Sequence, residues 1–146
     1  MSNPWEAGDV NLISRRLAFG CSLSDINLFL NTAPDKVIDI IIDGAANTET
    51  TSAPEWSNWD NKQFNESDNN KGYYHTLLQK QAFSDMANNG FRERLALFWG
   101  NHFVIEYRDV SQPAYLYQYY NLIQTHCLGN FKTFVSEVGL APAMLR

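Results

Sequence analysis

The sequence predicts an all-α fold, an irregular multi-helix bundle of about six or seven helices around a central apolar helix, with one long aromatic-pinned loop. Three observations lead there. Apolar residues recur at three- and four-residue spacing along most of the chain. Capping residues, prolines and glycines bracket those stretches at the places where helix ends fall. One interruption, 45–70, is rich in Asn, Thr, Ser, Asp and Glu, yet carries Trp56, Trp59 and Phe64.

Taken in order, Val10, Ile13 and Leu17 mark the first helix, with Asp9 as N-cap and Gly20 just past its end. Ser22 and Asp25 have the spacing of a capping box and open a second helix through Ile26, Phe29 and Leu30. Thr32 can cap a third, with Pro34 in its first turn, running through Val37, Ile38, Ile41 and Ile42 to Gly44. The polar segment 45–70 is expected to be a long loop whose aromatic side chains hold it on the core. Helical spacing returns with Tyr74, Leu77, Leu78, Ala82 and Met86, and Asn88-Asn89-Gly90 breaks the chain. The helix expected over 91–104 is apolar around most of its circumference, which predicts that it is the central one. A polar connection over 107–111 follows. Pro113 then opens a helix through Leu116, Tyr119, Tyr120, Ile123 and Cys127, with Gly129 after it. Asn130 caps a last helix through Phe131, Phe134, Val135 and Val138, ending at Gly139.

Residues 1–146 are expected to form a single helical domain. Pro142, Ala143, Met144 and Leu145 read as the opening turn of another apolar helix, so the chain is expected to be the N-terminal fragment of a longer protein. At this length a packed core needs no metal or disulfide.

Eleven Lys and Arg against sixteen Asp and Glu leave a formal charge of −5, and the longest basic run is Arg15-Arg16. Duplex binders carry a basic patch or stripe, so no nucleic-acid partner is expected. Cys21 and Cys127 are far apart and read as small apolar thiols. The N-terminus lacks the basic and apolar regions of a signal peptide, and the longest aliphatic run, 37–42, contains Asp39. No membrane span is expected, and the cytoplasm is the default location from this sequence.

No nucleophile elbow, phosphate-binding loop, dinucleotide fingerprint or HExxH occurs. The densest chemistry surrounds 91–104. There His102, Asn101 and Glu93 are the candidates for catalysis, with His102 on the face of Leu95, Phe98 and Trp99. A buried histidine bonded to backbone is the plainer account of His102. Arg15, Arg16, Arg92 and Arg94 are candidate ligand-binding residues if they gather into an anion site. The plainer account is packed stems with heads paired to carboxylates, Glu93 being the first choice for Arg15 or Arg16. Tyr115, Tyr117, Tyr119 and Tyr120 suit either an aromatic platform for a sugar or peptide or half-buried packing. His75, His102 and His126 lie on separate helices with no short ligand spacing, so no metal and no cofactor is expected.

Several stretches resemble one bacterial family, catalogued as domain of unknown function 1800. Residues 12–20 (LISRRLAFG) resemble its opening LLRRLGFG. Residues 91–103 (FRERLALFWGNHF) resemble its LRERMxLFWHNHF block, and 128–132 (LGNFK) and 142–145 (PAML) are similar to its LGNFR and DPAML blocks. Gly100 stands where the family often has a second histidine, and Ala141 where it has aspartate. The resemblance implies a mostly helical protein of several hundred residues, often exported and often encoded beside another uncharacterised family, with no established activity. The expected function is a helical scaffold or interaction module, with protein as its partner: the remainder of its own chain or a neighbouring-gene product. The alternative is an enzyme or ligand-binding domain with a site around Arg92, Glu93, Asn101 and His102, completed beyond Arg146.

Overall fold

A computed structural model describes residues 5–145 apart from 68, 107–109 and 111. Among these residues there are eight α-helices, one 3-10 turn and no strand. The helices are α1 (Ala7–Leu17), α2 (Leu23–Leu30), α3 (Pro34–Asn47), α4 (Asn61–Glu66), α5 (Lys71–Asn88), α6 (Phe91–His102), α7 (Pro113–His126) and α8 (Phe131–Leu140). The 3-10 turn is Glu55–Asn58, between α3 and α4. The fold is all-α, as the spacing predicts. None of these helices is long and apolar enough to cross a membrane. The polar connection expected over 107–111 lies, Val110 aside, outside the described residues.

Helix starts follow their capping chemistry. At α2 the Asp25 amide donates to Ser22 Oγ at 3.1 Å and the Ser22 amide donates to Asp25 Oδ2 at 2.9 Å, the reciprocal box the spacing predicts. Asp60 and Gln63 repeat the box at α4, and Asn70 and Asn130 cap α5 and α8. Helix α1 begins a turn earlier than expected. Glu6 is its N-cap, and Asp9 sits three positions in, accepting from the Glu6 amide at 3.0 Å. Helix α3 runs through Gly44 rather than stopping there. Asn47 Nδ2 donates to Asp43 O at 2.8 Å and Thr48 Oγ1 donates to Gly44 O at 2.7 Å, so its last carbonyls are satisfied without a glycine stop. Gly139 likewise lies inside α8. Gly90, with φ +52°, does mark a true break: it takes the left-handed conformation that turns the chain from α5 into α6.

The core has three parts. Val10, Phe29 and Val37 close a small one among α1, α2 and α3, and Trp5 Nε1 donates to Phe29 O at 2.9 Å. Trp56, Phe64 and Tyr74 meet Ala114 and Tyr117 in a second, where ring centroids lie 5.2–5.8 Å apart in tilted and edge-on pairs. This cluster seats the segment between α3 and α5 on α7. The third and largest joins α6, α7 and α8 through Ala96, Leu116, Ile123, Phe134 and Val138.

The central helix is α7, not α6. Helix α7 packs against the 3-10 turn, α5, α6 and α8, and buries Ala114, Leu116, Tyr117, Tyr119, Ile123 and Gln124. Helix α6 buries Arg92, Glu93 and Ala96 while Leu97 and Phe98 face solvent. Its apolar content overstated its burial because the inward face begins with two charged residues.

Two outcomes follow from this packing. Phe134 is 1% exposed and Phe131, on the same helix, 57%. Phe134→Ala should cost about 3–5 kcal/mol in chemical denaturation, against under about 1 kcal/mol for Phe131→Ala. Similar costs for the two would disprove the assigned face of α8. His75 on α5 is buried, and burial, reinforced by the charge of Lys71, lowers its pKa from 6.5. The native state therefore binds fewer protons than the unfolded chain just below that value. Melting temperature should be maximal above pH 6.5 and decline as pH falls through it, and His75→Gln should flatten that part of the profile.

Candidate functional site

A buried polar network lies where α5, α6 and α7 meet. Arg92 and Glu93 are adjacent on α6, and adjacent helical positions do not face each other. The long arginine stem bends back so that Nε and Nη2 donate to Glu93 Oε1 at 2.9 and 2.8 Å. Nη1 donates to Thr48 O at 2.7 Å and Glu49 O at 2.6 Å, just past the end of α3, where carbonyls are left over and a cation is favoured. Tyr120 from α7 donates to Asp85 Oδ2 of α5 at 2.7 Å and lies 3.2 Å from Glu93 Oε2. Gln124 Nε2 reaches Glu93 Oε1 at 2.9 Å and Tyr120 Oη at 2.8 Å. Thr51 Oγ1 and Gln81 Nε2 complete the shell, donating to Asp85 Oδ1 at 2.7 and 2.8 Å.

Asp85, Arg92, Glu93 and Gln124 are all buried. Glu93 takes the guanidinium, and Asp85 is held by the neutral donors Thr51, Gln81, Tyr120 and Gln124. Burial, the Asp85 hydrogen bond and the nearby Glu93 charge all push the Tyr120 phenol up, so it serves as a donor and not as an anion. The Cys127 thiol, whose Sγ approaches Gln124 O and Arg92 O, is pushed up to about 11, first by burial and then by Glu93. It is a packed thiol with no nucleophilic character.

Beside the network is a cavity of about 280 Å³ between α5, α6 and α7. Its walls are apolar, with Leu78, Met86, Ala96, Leu116 and Ile123 prominent, and Glu93 and Tyr120 contribute to its lining.

On the far side of α6 the aromatic residues form a surface patch. Phe98 and Phe131 are 56% and 57% exposed, and both rings rest on Trp99, at 5.0 and 5.5 Å between centroids. His102 stacks on Phe98 at 6.3 Å and meets Phe103 edge-on at 5.3 Å. Trp99 Nε1 donates to Cys127 O at 3.2 Å and its ring abuts Phe134, which ties the patch to the core.

The candidate residues are therefore divided. Arg92 and Glu93 are together and buried, whereas Asn101 and His102 are exposed. Helix geometry explains the separation: nine positions at about 100° each place Asn101 half a turn round from Arg92. Arg15 and Arg16 are exposed, and no ion pair among the described residues joins either to a carboxylate. The expected pairing with Glu93 is replaced by Arg92, whose backbone sits next to it. Arg94 lies over the Phe19 ring at 5.4 Å. The four arginines form no cluster. Tyr117 and Tyr119 are buried, and Tyr119 donates to Phe103 O, so the tyrosines of α7 are packing residues rather than an open platform. Among the described residues no three His, Cys, Asp or Glu side chains could hold a metal ion. Asp85, Gln124 and Thr51 were not singled out from sequence. The available signal was a polar residue inside an apolar stripe: Asp85 follows Leu78 and Ala82 on α5, and Gln124 lies between Ile123 and Cys127 on α7.

Residues 12–146 match a family model described as a protein of unknown function, DUF1800. No curated protein and no solved structure matches the chain.

Removing Arg92 leaves Glu93 buried with no ion-pair partner among the described residues. Arg92→Ala should cost about 3–5 kcal/mol in urea or guanidinium unfolding. Tyr120→Phe, which removes one donor from Asp85 and Glu93, should cost about 1–3 kcal/mol. Arg15→Ala on the surface should stay within about 0.5 kcal/mol. An Arg92 cost no larger than that of Arg15 would show that the network does not hold the fold together.

Proposed function

The chain belongs to the DUF1800 family, and because that family's description assigns no activity, we propose its role from its own surface: a helical interaction module that docks a protein partner through the aromatic patch of α6 and α8. The observation that carries this reading is the pair Phe98 and Phe131, each more than half exposed and both resting on one tryptophan. Single exposed apolar residues are ordinary, but a contiguous aromatic group supported from beneath is characteristic of an interface centre. Trp99 and Phe134 preorganise the two rings, so little side-chain freedom is lost when a partner covers them. The partner is protein, either the remainder of a longer chain or a neighbouring-gene product.

The alternative, an enzyme or ligand site built from Arg92, Glu93, Asn101 and His102, is less well supported. Ten positions of helix, about 15 Å, separate Arg92 from His102. Their burial also differs, so residues from elsewhere would have to bridge two sides of α6.

The test is site-specific photo-crosslinking in the native host. A crosslinker at position 98 should trap one discrete protein, and a crosslinker at the exposed positions 62 or 66 on α4 should not. Phe131→Ala should lower the yield at position 98 by about tenfold, the loss expected for an interface hot spot. Equal trapping at 98 and 62, or trapping unaffected by Phe131→Ala, would overturn the reading.

A further inference from the structure

We infer that the cleft between α1, α2, α3 and the turn from α5 into α6 takes a free α-amino acid with an apolar side chain. The start of α6 sets one end of that ligand. Gly90 precedes the helix without a side-chain cap, and the amides of Phe91, Arg92 and Glu93 meet no acceptor among the described residues. Amides at a helix start point out of its end and carry the positive pole of its dipole, which suits a carboxylate. Gly90 and Phe91 line a cavity of about 270 Å³. Ser14 of α1 lines it too, is 3% exposed, and its Oγ has no hydrogen-bond partner among the described residues. A buried hydroxyl left without a partner is costly, and a ligand carboxylate beside α6 supplies the missing acceptor.

Asp25 sets the other end. It lines the same cavity, where no positively charged side chain does. Its Oδ2 accepts from the Ser22 amide at 2.9 Å and the Ser22 hydroxyl at 2.6 Å, while no donor among the described residues reaches Oδ1. A simple anion would face that carboxylate unrelieved. An amino acid brings an ammonium for Asp25 together with the carboxylate for α6. Asp25 and Gly90 also border an adjoining cavity, so both poles of the ligand face one shared space. Phe29, Ile40, Ile41 and Ala45 give the apolar wall for the side chain. A cavity of about 150 Å³ holds benzene, so the 270 Å³ here has room for a side chain the size of leucine with its polar head. Phe98 and Phe131 are absent from the lining, so this site and the docking patch succeed or fail separately.

Leucine, isocaproate and isoamylamine share one apolar body and differ only in carrying both charged groups, the carboxylate alone or the ammonium alone. In calorimetric titration against the intact protein at neutral pH, leucine should bind about tenfold or more tighter than either analogue. Ser14→Ala removes a hydroxyl that has no partner, so it should not lower the melting temperature, yet it should weaken leucine about fivefold. Asp25→Asn keeps an acceptor for the Ser22 amide and should reduce leucine to the level of isocaproate. Gly44→Leu should abolish binding: Gly44 lines the cavity inside α3, and a Cβ there meets nothing within 4 Å, so the larger side chain fills open space. Cys21 lines the cavity and Cys127 is buried, so alkylation by iodoacetamide reports on Cys21, and leucine should slow it. Equal affinity for leucine and isocaproate, no binding by leucine, binding unchanged in Ser14→Ala, or alkylation of Cys21 unaffected by leucine would overturn the site.

Discussion

The structure depends on one constraint: a guanidinium and two carboxylates are buried together, and every element around them is placed so that none is left unpaired. Arg92 touches the chain at the end of α3 and Glu93 on its own helix, while Tyr120 and Gln124 of α7 bridge Glu93 to Asp85 of α5. An isolated charge in such surroundings costs several kcal/mol even after relaxation. The pairings must therefore form together, and α3, α5, α6 and α7 are located relative to one another by that requirement. Apolar packing alone tolerates small slips and rotations; this network does not, because a slip strands a charge.

The network also explains how the small N-terminal core relates to the rest. Val10, Phe29 and Val37 form a cluster separate from those on α7. Arg92 bonds the carbonyls of Thr48 and Glu49, immediately after α3, and Tyr117 and Asp85 bond Thr51 a few residues later. The chain leaving α3 is thus held by polar contacts. The segment after it is held by aromatic ones, through Trp56 and Phe64.

Turning Arg92 and Glu93 inward fixes the rotation of α6, and that rotation decides what the outer surface presents. Ala96 and Trp99 follow Arg92 on the inner side. Phe98, Asn101 and His102 are carried round to the outside. The exposed aromatic patch and the apolar cavity are therefore two consequences of a single orientation. One lies outside α6, supported by Trp99; the other lies inside, against Glu93.

Much of the fold was legible in the sequence because helix ends are local chemistry. Ser22 with Asp25, Pro34, Asn130 and the break at Gly90 place elements through hydrogen bonds and backbone preferences spanning only a few residues. The family motifs were legible for the same reason, as short ordered strings. What sequence could not decide was which helix is central and which charges are buried. Helix α6 is rich in large apolar residues, yet Leu97 and Phe98 are exposed and Arg92 and Glu93 are not. Composition counts apolar groups without knowing which charge finds a partner. Arg92 finds carbonyls 43 and 44 residues away, and Glu93 finds Gln124 31 residues away. Those distances in sequence close only when helices pack, so tertiary structure alone selected Arg92 over Arg15 and Arg16 and divided Glu93 from His102.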